Sequence, residues 1–229
     1  MIILEVIIIV ILFALFAYSH TWLASNKIKR TIAEKIGGKI AFYRLFYNMS
    51  SILFFAFFYI LSPKPDIVVY DLHYPYDIIT FALQVLSIIG LVRSIRIVDI
   101  KEFIGISQIT RYNNNNYNVN DLDERQTLNI VGMYKIVRHP VYLFTILFLG
   151  LRPTMTLFYL VSFICIVIYF YVGSVYEEKK LVEKFGDEYK EYQKNVPRII
   201  PGVRGTIRHG GTNNKLGTKY ERRDTNNNF

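Results

Sequence analysis

The chain has 229 residues, 52% of them hydrophobic, and a formal charge of +9, and these two excesses occupy different stretches, because long apolar runs alternate with short basic segments. That segregation is the pattern of a helical integral membrane protein and argues against a soluble fold. Lys and Arg crowd the ends of the apolar runs, where anionic lipid headgroups account for them, so a lipid bilayer is the expected partner and nucleic acid is not. The single cysteine, Cys165, cannot build a disulfide framework, and His20, His73, His139 and His209 show no metal-ligand spacing, so no metal is expected.

Residues 2–24 (IILEVIIIVILFALFAYSHTWLA) are long enough to cross about 30 Å of hydrocarbon at about 1.5 Å per residue. Glu5 stands where a signal peptide would carry positive charge, so the segment reads as a retained helix. The basic stretch that follows holds Lys27, Lys29, Arg30, Lys35, Lys39 and Arg44 against Glu34 and belongs on the cytoplasmic side. A second apolar helix over residues 42–61 ends at SPKPD, where two prolines stop it. The connection to Asp77 is acidic and is placed outside. A third helix over 78–98 returns to the cytoplasm at Arg93 and Arg96.

Residues 99–133 form no span. In DIKEFIGISQI, Lys101, Glu102 and Gln108 interleave with apolar residues, as in an interfacial segment lining a site. The asparagine-rich run after it reads as a solvated loop insertion. The apolar run 141–151 amounts to about 17 Å of helix, which is short of a span. Pro140 suits its first position, where no backbone donor is needed. A break at RPT (152–154) and a full-length run over 155–176 complete a helical hairpin.

Beyond Glu177 the helix is expected to continue into the cytoplasm with an apolar stripe of Leu181, Phe185, Tyr189 and Tyr192. The expected fold is therefore an all-α integral membrane protein of about five transmembrane helices, the last two a hairpin, with a cytoplasmic helical extension. Its segments are 1–98 (three spans), 99–133 (interfacial segment and loop), 134–201 (hairpin and cytoplasmic helix) and 202–229 (a disordered basic tail). The N-terminus is expected outside, the C-terminus inside and the site on the cytoplasmic face.

Two polar clusters flank the hairpin. Arg138 and His139 precede a helix start, where free N–H groups and the helix dipole add to the guanidinium charge and suit a carboxylate or phosphate. Tyr142 shares a face with His139, and Glu177 and Glu178 supply acceptors on the returning arm. From the residues alone a second reading stays open, in which RHP is an interfacial helix start and the glutamates are a pair at a membrane exit.

VRHPVY, the apolar hairpin, EEKKLVEKFGDEYKEY and VPRIIP together resemble the carboxy-terminal signature of the membrane methyltransferases that include isoprenylcysteine carboxyl methyltransferase and the phospholipid N-methyltransferases. SHTWLASNKIKR, FYRLFYN, EFIGISQI and RPTMT resemble the NnrU and methanethiol S-methyltransferase branch. The resemblance implies S-adenosyl-L-methionine as cofactor, with Arg138, His139, Pro140 and Tyr142 in a first binding cluster and Glu177, Glu178 and Leu181 in a second. Tyr189, Arg198 and Pro201 match the closing segment. His139 and Arg198 are the catalytic candidates, to accept a thiol proton or lower its pKa, and Glu102, Gln108 and Tyr189 the substrate-binding ones. The implied acceptor is a small thiol or another apolar membrane-soluble molecule. A prenylated cysteine carboxyl or a lipid amine remains an alternative, as do an NADPH-dependent reductase and a non-catalytic NnrU-like protein. Sterol reductases share an RHPxY-like run but typically carry Arg-Asp where this chain has Glu177 and Glu178, which favours methyl transfer.

Overall fold

The structure is a computed structural model that describes residues 1–119, 122 and 127–202. The expected basic tail from residue 203 onward, and the acidic part of the asparagine-rich loop, lie outside the described residues. The helices are α1 (Ile2–Ala24), α2 (Asn26–Ile36), α3 (Tyr43–Leu61), α4 (Tyr76–Ile95), α5 (Ile100–Ile104), α6 (Ile106–Asn113), α7 (Pro140–Gly150), α8 (Leu157–Phe185) and α9 (Asp187–Asn195). α1, the stretch ending in α3, α4 and α8 are long and apolar enough to cross a membrane. Ile2, Leu53, Ile60, Ile88 and Ile168 on these helices are exposed, as side chains facing lipid would be. α7 has 11 residues, or about 17 Å, so by itself it stops short of the hydrocarbon thickness, as its sequence predicts.

Two compact units share the chain discontinuously. The first comprises Met1–His73, Val98–Gln126 and Pro153–Tyr169. Its apolar core is Ile9, Phe13, Phe58 and Phe158, where the Phe13 and Phe58 rings meet edge to face at 5.4 Å. A two-stranded antiparallel ribbon, which the all-helical expectation did not include, joins β1 (Val68–Asp71) to β2 (Thr154–Thr156). Prolines at 63, 65 and 153 exclude helix at both segments, and the β-branched and aromatic residues between them pair instead. The interfacial segment forms α5 and α6, separated by Gly105 at φ 105°. A Cβ there would also come within 2.9 Å of the Leu45 backbone nitrogen, so both conformation and space require glycine. The close approach lets Arg44 Nε and Asn48 Nδ2 donate to the Phe103 carbonyl at 2.9 and 3.0 Å, which satisfies the open end of α5.

The second unit comprises Tyr74–Ile97, Thr127–Arg152 and Phe170–Phe229. Here α7 packs along α4, with the Phe144 ring seated on Gly90 and Gln84 Nε2 donating to the Phe148 carbonyl at 2.9 Å. The expected single helix beyond Glu177 breaks at Gly186, whose φ of 58° ends α8 and starts α9. The stripe survives the break: Tyr189 and Tyr192 form a buried cluster with Ile130 and Val196, and Leu181 and Phe185 pack against it.

A side chain at Gly90 would place its Cβ 2.3 Å from the Phe144 ring. Gly90→Val is expected to destabilise the detergent-solubilised protein by about 1–3 kcal/mol, with most of the loss recovered by adding Phe144→Ala. Thermal melting of the single and double variants measures both.

Candidate functional site

The RHP turn and the closing segment of the second unit lie side by side, because the backbone N–H groups of Arg138 and His139 donate to the carbonyls of Pro197 and Arg198 at 2.9 and 3.0 Å. Pro140 opens α7, as predicted. These two constraints fix the Arg138 and His139 side chains against α8, where Glu178 is 2% exposed.

Glu178 is the hub. Arg138 forks onto it, with Nε 2.8 Å from Oε1 and an Nη 3.0 Å from Oε2. His139 Nε2 lies 3.1 Å from Oε1, Gln193 Nε2 donates to Oε2 at 2.9 Å, and Arg198 donates to Oε2 at 3.2 Å. A carboxylate has about four lone-pair sites, so this one is spent within the protein. Arg138 is nearly spent as well, since its other Nη donates to the Gln193 carbonyl at 2.9 Å and to that of Val196. Such a pair is held by geometry as well as charge.

Glu177 has the opposite character. Its side chain is 43% exposed, it accepts from the Tyr142 hydroxyl at 3.0 Å, and its Oε2 lies 3.5 Å from His139 Nδ1. Each ring nitrogen of His139 thus faces a different glutamate. The His139 ring stacks on Tyr142 at 5.1 Å and 7°, and Tyr142 stacks on Phe170 at 4.5 Å and 10°. Arg198 lies 5.8 Å from the Tyr171 ring centre, and its Nε is buried without a hydrogen-bond partner. Arg198 holds its unsatisfied donor on the Glu178 side of His139, and the half-open Glu177 and the ring stack lie on the other; such groups can accept an anion, a hydroxyl or ammonium group, and a cation over an aromatic face.

Around the cluster the phenols stay protonated. Burial, and secondarily the charge of Glu177, push the Tyr134 phenol up to about 12, and burial above all raises Tyr189 and Tyr192. Tyr192 donates to the Tyr134 carbonyl at 2.5 Å, which ties α9 to the turn before RHP. Among the described residues no group of histidine, cysteine and carboxylate side chains could hold a metal ion.

Of the residues singled out in the sequence, Arg138, His139, Tyr142, Glu177, Glu178 and Arg198 converge. Leu181 packs against the apolar cluster that contains Tyr189. Pro201 lies in a turn with Gly202. Glu102 and Gln108 belong to the first unit, where Glu102 takes a bidentate ion pair from Arg111 at 2.8 and 2.9 Å. Phe170 and Gln193 were not anticipated. Phe170 is seven residues before Glu177, two helical turns along the same face, and that spacing was the available signal. Gln193 reaches Glu178 only because Gly186 turns α9 back, and nothing local in the sequence announces it.

Glu178→Gln leaves Arg138 buried beside a neutral amide and is expected to cost about 3–5 kcal/mol. Glu177→Gln is expected to cost less than about 1 kcal/mol. Melting of the two variants in the same detergent separates the internal carboxylate from the open one.

The family described as "Protein of unknown function (DUF1295)" matches residues 4–196. The Methanethiol S-methyltransferase 1 of Bradyrhizobium diazoefficiens is 32% identical over 201 residues, which is 86% of this chain and 67% of that protein. The Methanethiol S-methyltransferase of Pseudomonas sp. (strain GM41(2012)) is 27% identical over 199 residues, 86% of this chain and 74% of that protein. That of Pseudomonas deceptionensis is 44% identical over 72 residues, 31% of this chain and 28% of that protein. No solved structure matches the chain. With its match running through the spans, the RHP turn and α9, the chain belongs to the DUF1295 family and is similar to bacterial methanethiol S-methyltransferases.

Proposed function

We propose that the chain is an integral-membrane methyltransferase that uses S-adenosyl-L-methionine and methylates a small thiol, with its cofactor site in the second unit at the cytoplasmic end of α8. The observation that carries this reading is the buried Nε of Arg198, a charged donor without a partner, on the same Glu178 to which His139 links a half-exposed glutamate and a stack of three rings. Those groups fit the cofactor's parts. Arg198 would take its carboxylate, Glu177 its ammonium or ribose hydroxyls, and an end of the ring stack its sulfonium. The names of the similar bacterial proteins supply the reaction class and the small thiol.

In this reading the two clusters divide the work. Arg138 and Glu178 are positioning residues, since their contacts with each other, with Gln193 and with the 196 carbonyl leave them inside the protein. Pro140 sets the start of α7, and Leu181 holds α8 to the apolar cluster. His139 orders the Tyr142 ring and the Glu177 carboxylate from beneath. Arg198 is the electrostatic group that meets the ligand. S-adenosyl-L-methionine, when bound, would supply an electrophilic methyl group to a thiolate, its sulfonium sulfur leaving as a neutral thioether. The chain contributes position, which favours an in-line displacement. Basic residues after α1 and at Arg93 and Arg96 orient the site toward the cytoplasm, with the N-terminus outside and the C-terminus inside. Membrane placement suits an acceptor that partitions into lipid.

The full chain in detergent is expected to gain thermal stability from S-adenosyl-L-methionine and not from NADPH. Arg198→Lys keeps the charge on Glu178 but loses the Nε donor. It is expected to bind the cofactor about tenfold more weakly while melting unchanged without ligand. Stabilisation by NADPH alone would contradict the reading.

A further inference from the structure

Two buried donors of the second unit are left unused by the protein itself, and both belong to the surroundings of Glu178. One is Arg198 Nε. The other is the hydroxyl of Tyr189, whose side chain is 2% exposed and makes no hydrogen bond to any described residue. Among the described residues of this unit, no buried side-chain acceptor is left over. Tyr192 shows the contrast. It meets the Tyr189 ring edge to face at 5.6 Å in the same apolar cluster, yet its hydroxyl donates to the Tyr134 carbonyl.

Tyr189 stands one helical turn before Gln193 on α9, so it shares the face from which Gln193 donates to Glu178 Oε2. Its phenolic oxygen feels the charges of Glu178, Arg138, Glu177 and Arg198, which puts it within electrostatic reach of every ionic group of the site. Burial first, and then the charge of Glu178, raise this phenol, so at neutral pH it is a donor. A hydroxyl buried without a partner has lost water and gained nothing, which is unfavourable. Groups left in that state mark places where something from outside completes the bonding. Two free donors, one of them charged, and no free acceptor call for a ligand group that only accepts, which is an oxyanion. A ligand hydroxyl or amide would bring a donor of its own with no acceptor to meet it.

We propose that the Tyr189 hydroxyl and Arg198 Nε together bind the carboxylate end of S-adenosyl-L-methionine. The proposal rests on the methyl-transfer reading for the identity of the ligand and adds Tyr189 to its binding residues. Arg198 supplies the charge, and Tyr189 supplies a neutral donor that packing has already ordered. Gln193 and Tyr192 fix α9 through Glu178 and the Tyr134 carbonyl, so the phenol need not be immobilised when the ligand arrives.

The test uses the full chain in detergent, with calorimetry for binding and thermal melting for stability. S-adenosyl-L-methionine is compared with its decarboxylated analogue, which keeps the sulfonium, the ammonium and the ribose. Unaltered protein is expected to bind the analogue at least about tenfold more weakly. Tyr189→Phe removes only the hydroxyl. Without ligand it is expected to melt at the same temperature or higher, since an unsatisfied buried group is gone. It should bind S-adenosyl-L-methionine about tenfold more weakly and the analogue as the unaltered protein does. Tyr192→Phe is the structural control: it loses the bond to the Tyr134 carbonyl, and it is expected to melt lower and to leave the ratio of the two affinities unchanged. Unchanged binding of S-adenosyl-L-methionine by Tyr189→Phe, an equal loss for both ligands, or a lower melting temperature without ligand overturns the proposal. Those results leave the cofactor site standing wherever the unaltered chain binds S-adenosyl-L-methionine. An unaltered chain that binds neither compound defeats the cofactor reading and this proposal with it.

Discussion

The buried pairing of Arg138 with Glu178 is the constraint on which the second unit depends. Taking two charges from water costs several kcal/mol each unless their remaining donors and acceptors are met, and here they are met by groups from three places in the chain. The RHP turn gives Arg138 and His139, the end of α8 gives Glu178, and the closing segment gives Gln193, Arg198 and the carbonyls at 193 and 196. Removing one member strands the others, so the hairpin, α9 and the final segment are fixed by one ionic cluster. A consequence is that Glu177, its neighbour in sequence, is left half open on a scaffold that cannot easily shift.

That division also explains how adjacent glutamates acquire different roles. Successive helical residues point about 100° apart, so Glu178 faces Arg138 while Glu177 faces Tyr142 and the opening. The aromatic stack beside Glu177 runs from His139 through Tyr142 to Phe170, which holds Tyr142 as the middle ring of three. Arg198 stands at the junction, with one nitrogen on Glu178 and another without a partner. The first unit has a comparable economy of donors. Glu102 satisfies Arg111 and the Gln108 amide nitrogen, and the amide oxygen is the remainder.

Much of this is written in the sequence because lipid imposes a strong rule: apolar runs of sufficient length become helices, and Pro140, the SPKPD stretch and RPT mark where they start and stop. The convergence of RHP with EE was legible from the hairpin, whose two ends must return to one side. The β1–β2 ribbon was not, since its pairing partners are far apart in sequence and each is too short to show alternation. The break at Gly186 depends on a single left-handed residue within a strongly helical stretch. Phe144 on Gly90, and the fixed amide of Gln108, depend on which helices pack together, which periodicity leaves open.

Methyl transfer at the open face of the Arg138–Glu178 cluster is tested most directly by product. Purified full-length protein is given methyl-labelled S-adenosyl-L-methionine and methanethiol, and the headspace is read by mass spectrometry. Labelled dimethyl sulfide is expected from the unaltered chain, and at least about tenfold less from Glu177→Gln at an unchanged melting temperature. Equal product from Glu177→Gln, or none from an unaltered chain that binds both reactants, would contradict the assignment.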